Sequence, residues 1–231
     1  MGFVFYTMKI CILTCMNKRH SISEMYAKGI TKFKEKSPYE ILLVACISEK
    51  ESERICTENG IEFVYAENKT TGYKFNRALE FALTFDWDYL MIMGDDDIID
   101  PDSWQLINPL LNELNPYFGF DRIYFHHLAT GDTMKYIIEE PHGGVIGCGR
   151  FVHRSVIDKT GLLWLDEQET GCDMISGKKI KSKGYERTII SECVMVDIKT
   201  DLNIWKFSQY KKKRIELSHE EKEYVRQLIT F

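Results

Sequence analysis

Tyr89-Leu90-Met91-Ile92-Met93-Gly94-Asp95-Asp96-Asp97-Ile98-Ile99-Asp100-Pro101 is the stretch that decides how this chain is read. Five apolar, strand-like residues run straight into three adjacent carboxylates. Neighbouring like charges oppose one another's ionisation, and folding alone gives no reason to gather them at the tip of a buried strand. A divalent cation does. Mg²⁺ or Mn²⁺ takes hard oxygen ligands, commonly one or two carboxylates completed by phosphate oxygens and water. The competing reading is an acidic turn that caps the next helix, a use for which Asp is well suited. The triplet by itself leaves both readings open.

The segments on either side alternate between strand and helix. Lys9–Thr14, Glu40–Cys46 and Ile61–Tyr65 read as strands. Helices are expected over Ser21–Lys34, over Glu49–Asn59 with Ser48 as N-cap and Gly60 at the C-cap, and over Tyr73–Phe85 with Phe75, Leu79, Ala82 and Leu83 at helical spacing. Connections of crossover length imply a parallel sheet covered on both faces. Ligands of such sheets bind beyond the carboxyl ends of the strands, where the loops after Thr14 and Cys46 meet the triplet. That convergence favours the metal reading over the acidic turn.

The second half reads differently. Asp121–His127 and Lys135–Ile138 suggest a hairpin turning at Gly131-Asp132. A strand over Gly147–Val152, a short helix over Ser155–Lys159 and an amphipathic helix over Ser218–Phe231 follow. His126 and His127 would face opposite sides of a strand and so cannot chelate one ion together. His142-Gly143-Gly144 reads equally as an acceptor-binding loop or a turn.

At 231 residues, with 44% hydrophobic and 13% aromatic content, the chain is expected to form a single well-packed domain, 1–231. A net charge of −5 gives no reason to expect a general polyanion binder, although Lys211-Lys212-Lys213-Arg214 is a local basic run. Seven cysteines without a CxxC pair fit reduced thiols. No stretch approaches the roughly 18 apolar residues of a membrane span, so a cytoplasmic location is expected.

The segment Gly72–Pro101 resembles the family 2 glycosyltransferases of the GT-A fold. That family has a helix with an Asn-x-x-Leu/Ala pattern, a strand, an Asp-rich metal motif, a short spacer and Pro. The matching parts here are Lys74-Phe75-Asn76-Arg77-Ala78-Leu79, Tyr89–Met93, Asp95-Asp96-Asp97 and Asp100-Pro101. Asn17, in Thr14-Cys15-Met16-Asn17-Lys18-Arg19, stands like the family's Asn-Arg after the first strand. Gly171-Cys172-Asp173 lies eleven residues before Gly184-Tyr185, as the family's catalytic Asp does. The matches span about Lys9 to Tyr185.

The resemblance implies an α/β GT-A fold: a Rossmann-like, mostly parallel sheet with helices on both faces and a smaller acceptor-side β-hairpin region. Residues 1–101 would bind the nucleotide-sugar, 102–200 the acceptor, and 201–231 would form a tail and helix. The activity implied is transfer of a sugar from a nucleotide-sugar to an acceptor hydroxyl, inverting, with Asp173 as general base and Asp166, Glu167 and Glu169 as fallbacks. An N-cap role is the bland reading of Asp173. Asp95, Asp96 and Asp97 would hold Mn²⁺ or Mg²⁺, with Asp96 the principal ligand by its distance from Pro101. Thr14, Asn17, Arg19, Ser48, Asn68, Lys74, Asn76 and Asp95 would line the donor site, and Lys69 is either a phosphate contact or surface charge.

Two departures stand out. Gly94 replaces the first Asp of the longer motif, and Val44-Ala45-Cys46-Ile47-Ser48 lacks the carboxylate that reads the nucleobase. Base recognition then falls to backbone groups, Ser48 or Glu49, which leaves UDP, GDP and dTDP open. The acceptor, whether glycan, protein, small molecule or modified base, is open too. Trp164 could stack on a sugar, but core packing is the stronger expectation. A nucleotidyltransferase is the first rival, although Thr14–Arg19 has no glycine to cradle phosphates. A non-catalytic sugar- or nucleotide-binding module and a purely structural cation site are the others.

Overall fold

Apolar runs rich in Ile, Leu and Val build the central strands, and 3.6-residue periodicity builds the helices that cover them. A computed structural model describes residues 7–138, 144–201, 203, 207–208 and 215–231. In chain order the first half holds β1 (Lys9–Met16), α1 (His20–Glu35), β2 (Glu40–Ile47), α2 (Lys50–Glu58), β3 (Glu62–Tyr65), α3 (Thr71–Ala82) and β4 (Tyr89–Ile92). Then come β5 (Asp97–Ile99), a single turn at Pro101–Ser103, α4 (Trp104–Asn112), β6 (Tyr117–Phe120), β7 (Arg122–His127), β8 (Thr133–Ile137) and β9 (Arg150–His153). The remainder is α5 (Arg154–Thr160), α6 (Cys172–Lys181), β10 (Thr188–Ile190), β11 (Met195–Lys199) and α7 (His219–Ile229).

The main sheet has the order β10-β6-β9-β4-β1-β2-β3. β1 to β4 run parallel, β10 runs parallel to β6, and only β9 opposes its neighbours. Successive side chains on β1 go to opposite faces. Ile10, Ile12 and Met16 pack with Tyr26, Ile30 and Phe33 of α1 and with Trp104 and Ile107 of α4. Cys11 and Leu13 pack with Ala78 and Leu79 of α3 and with the apolar sides of α5 and α6. The sheet is therefore covered on both faces, as the sequence predicts.

The expected hairpin, β7–β8, belongs to a second sheet of order β5-β11-β7-β8. One face of this sheet is dry: Ile98, Tyr124, Val196 and Ile198 pack with Ile22 of α1 and Val225 of α7. Ser218 caps α7, its hydroxyl accepting from Glu221 N–H at 3.1 Å while the Glu221 carboxylate accepts from Ser218 N–H at 2.9 Å. Among the described residues no helix is long and apolar enough to cross a membrane.

Several local expectations need correction. Asp97 is not part of a turn but the first residue of β5, so the triplet passes from one sheet to the other. Ser48 does not cap α2; the helix starts after Glu49, whose side chain accepts from Lys18 N–H at 2.9 Å and from the Ser52 hydroxyl at 2.9 Å. α6 starts after Gly171, in the left-handed region at φ 72°, which puts Asp173 inside the first turn rather than at the N-cap. β9 begins only at Arg150, because Gly149 has φ 66° and turns the chain just before it. His142-Gly143 and Lys211–Arg214 lie outside the described residues.

Candidate active site

The carboxyl ends of β1 and β4 open into a cavity of about 890 Å³ bounded on its far side by the second sheet. Strand register explains how acid collects there. On β11 the alternation Met195-Val196-Asp197-Ile198-Lys199 sends Val196 and Ile198 to the α7 side and Asp197 and Lys199 to the cavity. Asp197 pairs directly with Asp97 across β5–β11. Asp96, on the approach to β5, completes a trio in which Asp96, Asp97 and Asp197 each offer an oxygen within 4.8 Å of the others.

Asp95 is drawn out of that trio. It accepts from the Ser23 hydroxyl at 2.8 Å and from the Arg19 guanidinium, whose other Nη reaches Asp96 at 2.7 Å. Asn203 donates to the same Asp96 oxygen at 2.7 Å, and Lys199 pairs with Asp197 at 2.6 Å. Gly94 is needed where it stands: its N–H donates to Asp97 at 2.6 Å, and a Cβ would come within 2.6 Å of Asp96 Oδ1. The absence of an Asp at this motif position thus has a steric basis. Burial raises the carboxyl of Asp97, and Asp197 and Asp96 push it further. Burial, reinforced by Asp96, lifts Asp197 to about 6, and Asp95 likewise to about 6. Asp96 is buried too, but Arg19 and Lys199 hold it below its ordinary value. Asp197 Oδ1 is buried without a hydrogen-bond partner. Hard, partly unpaired oxygens at this spacing suit a divalent cation.

Asp173, also on the lining, rests against the backbone of Gly147, so closely that a Cβ on Gly147 would enter its carboxylate. The fully buried Arg150 ties this wall together. Its Nη1 donates to Asp173 O at 3.0 Å and to the Ser176 hydroxyl at 2.7 Å, and its Nη2 to Val145 O at 3.1 Å. Sequence reasoning missed Arg150, Asp197, Lys199 and Asn203. The charged residues two apart on β11, and an arginine inside the apolar strand Arg150-Phe151-Val152, were the available signals.

Of the residues singled out in the sequence, Asn17, Arg19, Asn68, Lys69, Lys74, Asp95, Asp96, Asp97 and Asp173 line the cavity. Lys74 donates to Asn68 at 3.2 Å. Thr14 is buried beneath the sheet edge, and neither Thr14, Ser48, Glu49 nor Asn76 is on the lining. Asn76 instead clamps the 164–166 loop, donating to Trp164 O at 3.0 Å and Asp166 Oδ1 at 2.7 Å. Trp164 is buried, stacks on Phe75 with ring centroids 4.9 Å apart, and also lies on the cavity lining. Of the fallback acids, Glu169 reaches the cavity. His126, buried on β7, bonds Thr133 at 2.8 Å, away from the acidic trio.

No protein-family model and no curated protein matches the chain. Solved structures match in fold. TarS of S. aureus superposes with a TM-score of 0.60 at 9% identity, over 83% of this chain and 37% of TarS. Its 1–349 portion in complex with UDP gives a TM-score of 0.57 at 10% identity, over 83% of this chain and 60% of that one. The mannosyltransferase PcManGT of Pyrobaculum calidifontis, in complex with GDP-Man and Mn²⁺, gives 0.58 at 13% identity, over 86% of this chain and 59% of that one. The chain thus spans less than two thirds of the length of each. What such low identity shares is architecture, and that architecture is the GT-A-type glycosyltransferase fold.

Proposed function

We propose that the protein is a metal-dependent glycosyltransferase that moves a sugar from a nucleotide-sugar to an acceptor hydroxyl. One observation carries this reading: a single cavity at the carboxyl edge of the sheet is lined by both a three-carboxylate cluster and Asp173. The UDP complex and the GDP-Man and Mn²⁺ complex of the two fold neighbours support it.

Asp96, Asp97 and Asp197 would hold Mg²⁺ or Mn²⁺, which when bound supplies positive charge to the departing diphosphate. Arg19 keeps Asp95 and Asp96 in place, and Lys199 offsets the charge of Asp197. Asn17, Asn68 and Lys74, on the loops after β1 and before α3 and on α3 itself, face the donor. Lys74 brings a cation to the phosphates. Asp173 accepts the acceptor's proton at its carboxylate as the hydroxyl oxygen attacks the anomeric carbon. The bond from that carbon to the diphosphate breaks with its electron pair leaving on phosphate, and in-line attack inverts the centre. Arg150 positions the turn that carries Asp173.

The test is nucleoside diphosphate release from a panel of UDP-, GDP- and dTDP-sugars, with Mn²⁺ or with EDTA. Release that needs Mn²⁺ and disappears in Asp96→Ala is expected. Tight nucleotide binding without release from any donor would make the protein a binding module, and no nucleotide binding at all would refute the reading.

A further inference from the structure

Two cysteines stand side by side at the donor end of the cavity, and sugar transfer uses neither. β1 and β2 run parallel and in register, with Cys15 opposite Cys46 in the last row but one before the loops. In-register residues on neighbouring strands project to the same face, with backbones about 4.8 Å apart. A disulfide spans Cα separations of about 4.4–6.8 Å, so this row already has the required spacing. Both side chains belong to the α3-covered face, Cys46 buried and Cys15 half-buried against the same apolar cluster. Each thiol lies close enough to shift the ionisation of the other. Cys15 also lines the cavity, as Asn17 and Lys74 do.

The chemistry of the pair is asymmetric. Burial, and then the neighbouring Cys46, push the Cys15 thiol up. Cys15 in turn pulls Cys46 down, and Lys74 favours the thiolate of both. Cys15, on the cavity lining, is the sulfur an oxidant reaches first, with the buried Cys46 beside it to complete the bond. Cys11, by contrast, lies opposite Leu42, and the Cys56 sulfur touches that of Met16 at 3.8 Å.

We propose that Cys15 and Cys46 are an oxidisable dithiol that closes to a disulfide across β1 and β2, at the nucleotide end of the cavity. Two S–H bonds break and one S–S bond forms, and two electrons and two protons pass to a thiol oxidant. With diamide, the Cys15 sulfur on the cavity lining adds, as thiolate, to the N=N bond, and the Cys46 sulfur then displaces the adduct as a hydrazine. The inference rests on strand register, so it stands or falls apart from the sugar-transfer reading.

The experiment treats the native, full-length chain with diamide, quenches it, denatures it and counts free thiols, then maps disulfide-linked peptides by mass spectrometry. The count should fall from seven to five, the linked peptides should carry Cys15 and Cys46, and dithiothreitol should restore all seven. Cys15→Ala and Cys46→Ala should each keep every thiol they have left under the same treatment. Seven thiols remaining in the wild type, or a linkage joining any other pair, overturns the proposal. The wild-type map decides the matter even if a variant folds poorly.

Discussion

Asp197 illustrates how a single residue far along the chain can complete a motif that looks self-contained. Three consecutive acids suggest three ligands, yet Asp95 is committed to Arg19 and Ser23, and the trio spaced to hold an ion takes in Asp197 instead. Asp197→Asn should therefore weaken Mn²⁺ binding on the order of tenfold or more, measured by titration calorimetry with Mn²⁺ alone. Unchanged affinity would remove Asp197 from the ligand set. Gly147 makes a second point, because its missing Cβ is what lets the Asp173 carboxylate lie where it does. Gly147→Ala should lower kcat while leaving the donor KM near its wild-type value, a split visible in steady-state kinetics. Asn76 makes a third. It matches a helix pattern of nucleotide-sugar enzymes, but it fastens the 164–166 loop to α3. Asn76→Ala leaves the Trp164 backbone groups unpaired and should cost about 1–3 kcal/mol of stability in urea unfolding. Its effect on nucleotide affinity, measured well below the unfolding midpoint, should be small.

At the scale of elements, legibility follows how local the pairing is. β1 to β4 and the helices between them were readable because each carries its own periodicity, and each strand is followed by its own crossover. β10 and β11 were not, because three- and five-residue strands gain their meaning only from partners far away in sequence. Asp97 meets Asp197 only through the antiparallel β5–β11 register. The three-residue β5 hid inside what looked like a turn, since its Asp-Ile-Ile sequence merges with the acidic triplet. This ladder also sets a pH dependence. Asp197 is raised to about 6 and Asp97 is raised as well, so the folded, cation-free protein keeps protons that the unfolded chain gives up in the ordinary carboxylate range. Stability from these groups is then highest at low pH and declines as pH rises from about 4 through about 6. Cation binding must displace those protons, so Mn²⁺ affinity should rise over the same interval and be clearly weaker at about pH 5 than at about pH 7. Equal affinities at the two pH values would show that the trio does not titrate with the metal.

For the whole molecule, the site belongs to neither sheet alone. β4 and the loop after β1 supply Arg19, Asp95 and Asp96; the second sheet supplies Asp97, Asp197 and Lys199; α6, held by Arg150 of β9, supplies Asp173. Strands from the second half of the chain, β6, β9 and β10, also complete the first sheet. The general location of the cavity, at the carboxyl edge of a parallel sheet, followed from strand–helix alternation, while Asn17, Arg19, Asn68, Lys74 and the acidic triplet on its lining were singled out by the family resemblance. The wall built from the β7–β8 hairpin, the Gly147 loop and α6 was not legible, because these segments lie far apart in sequence. The most direct test of this account is Mn anomalous diffraction from crystals soaked with Mn²⁺ and UDP or GDP. The account predicts one Mn²⁺ peak held by carboxylate oxygens of Asp96, Asp97 and Asp197 and touching the diphosphate, with Asp173 across the open side. A diphosphate bound outside this cavity, or a Mn²⁺ peak that none of the three carboxylates reaches, would contradict it.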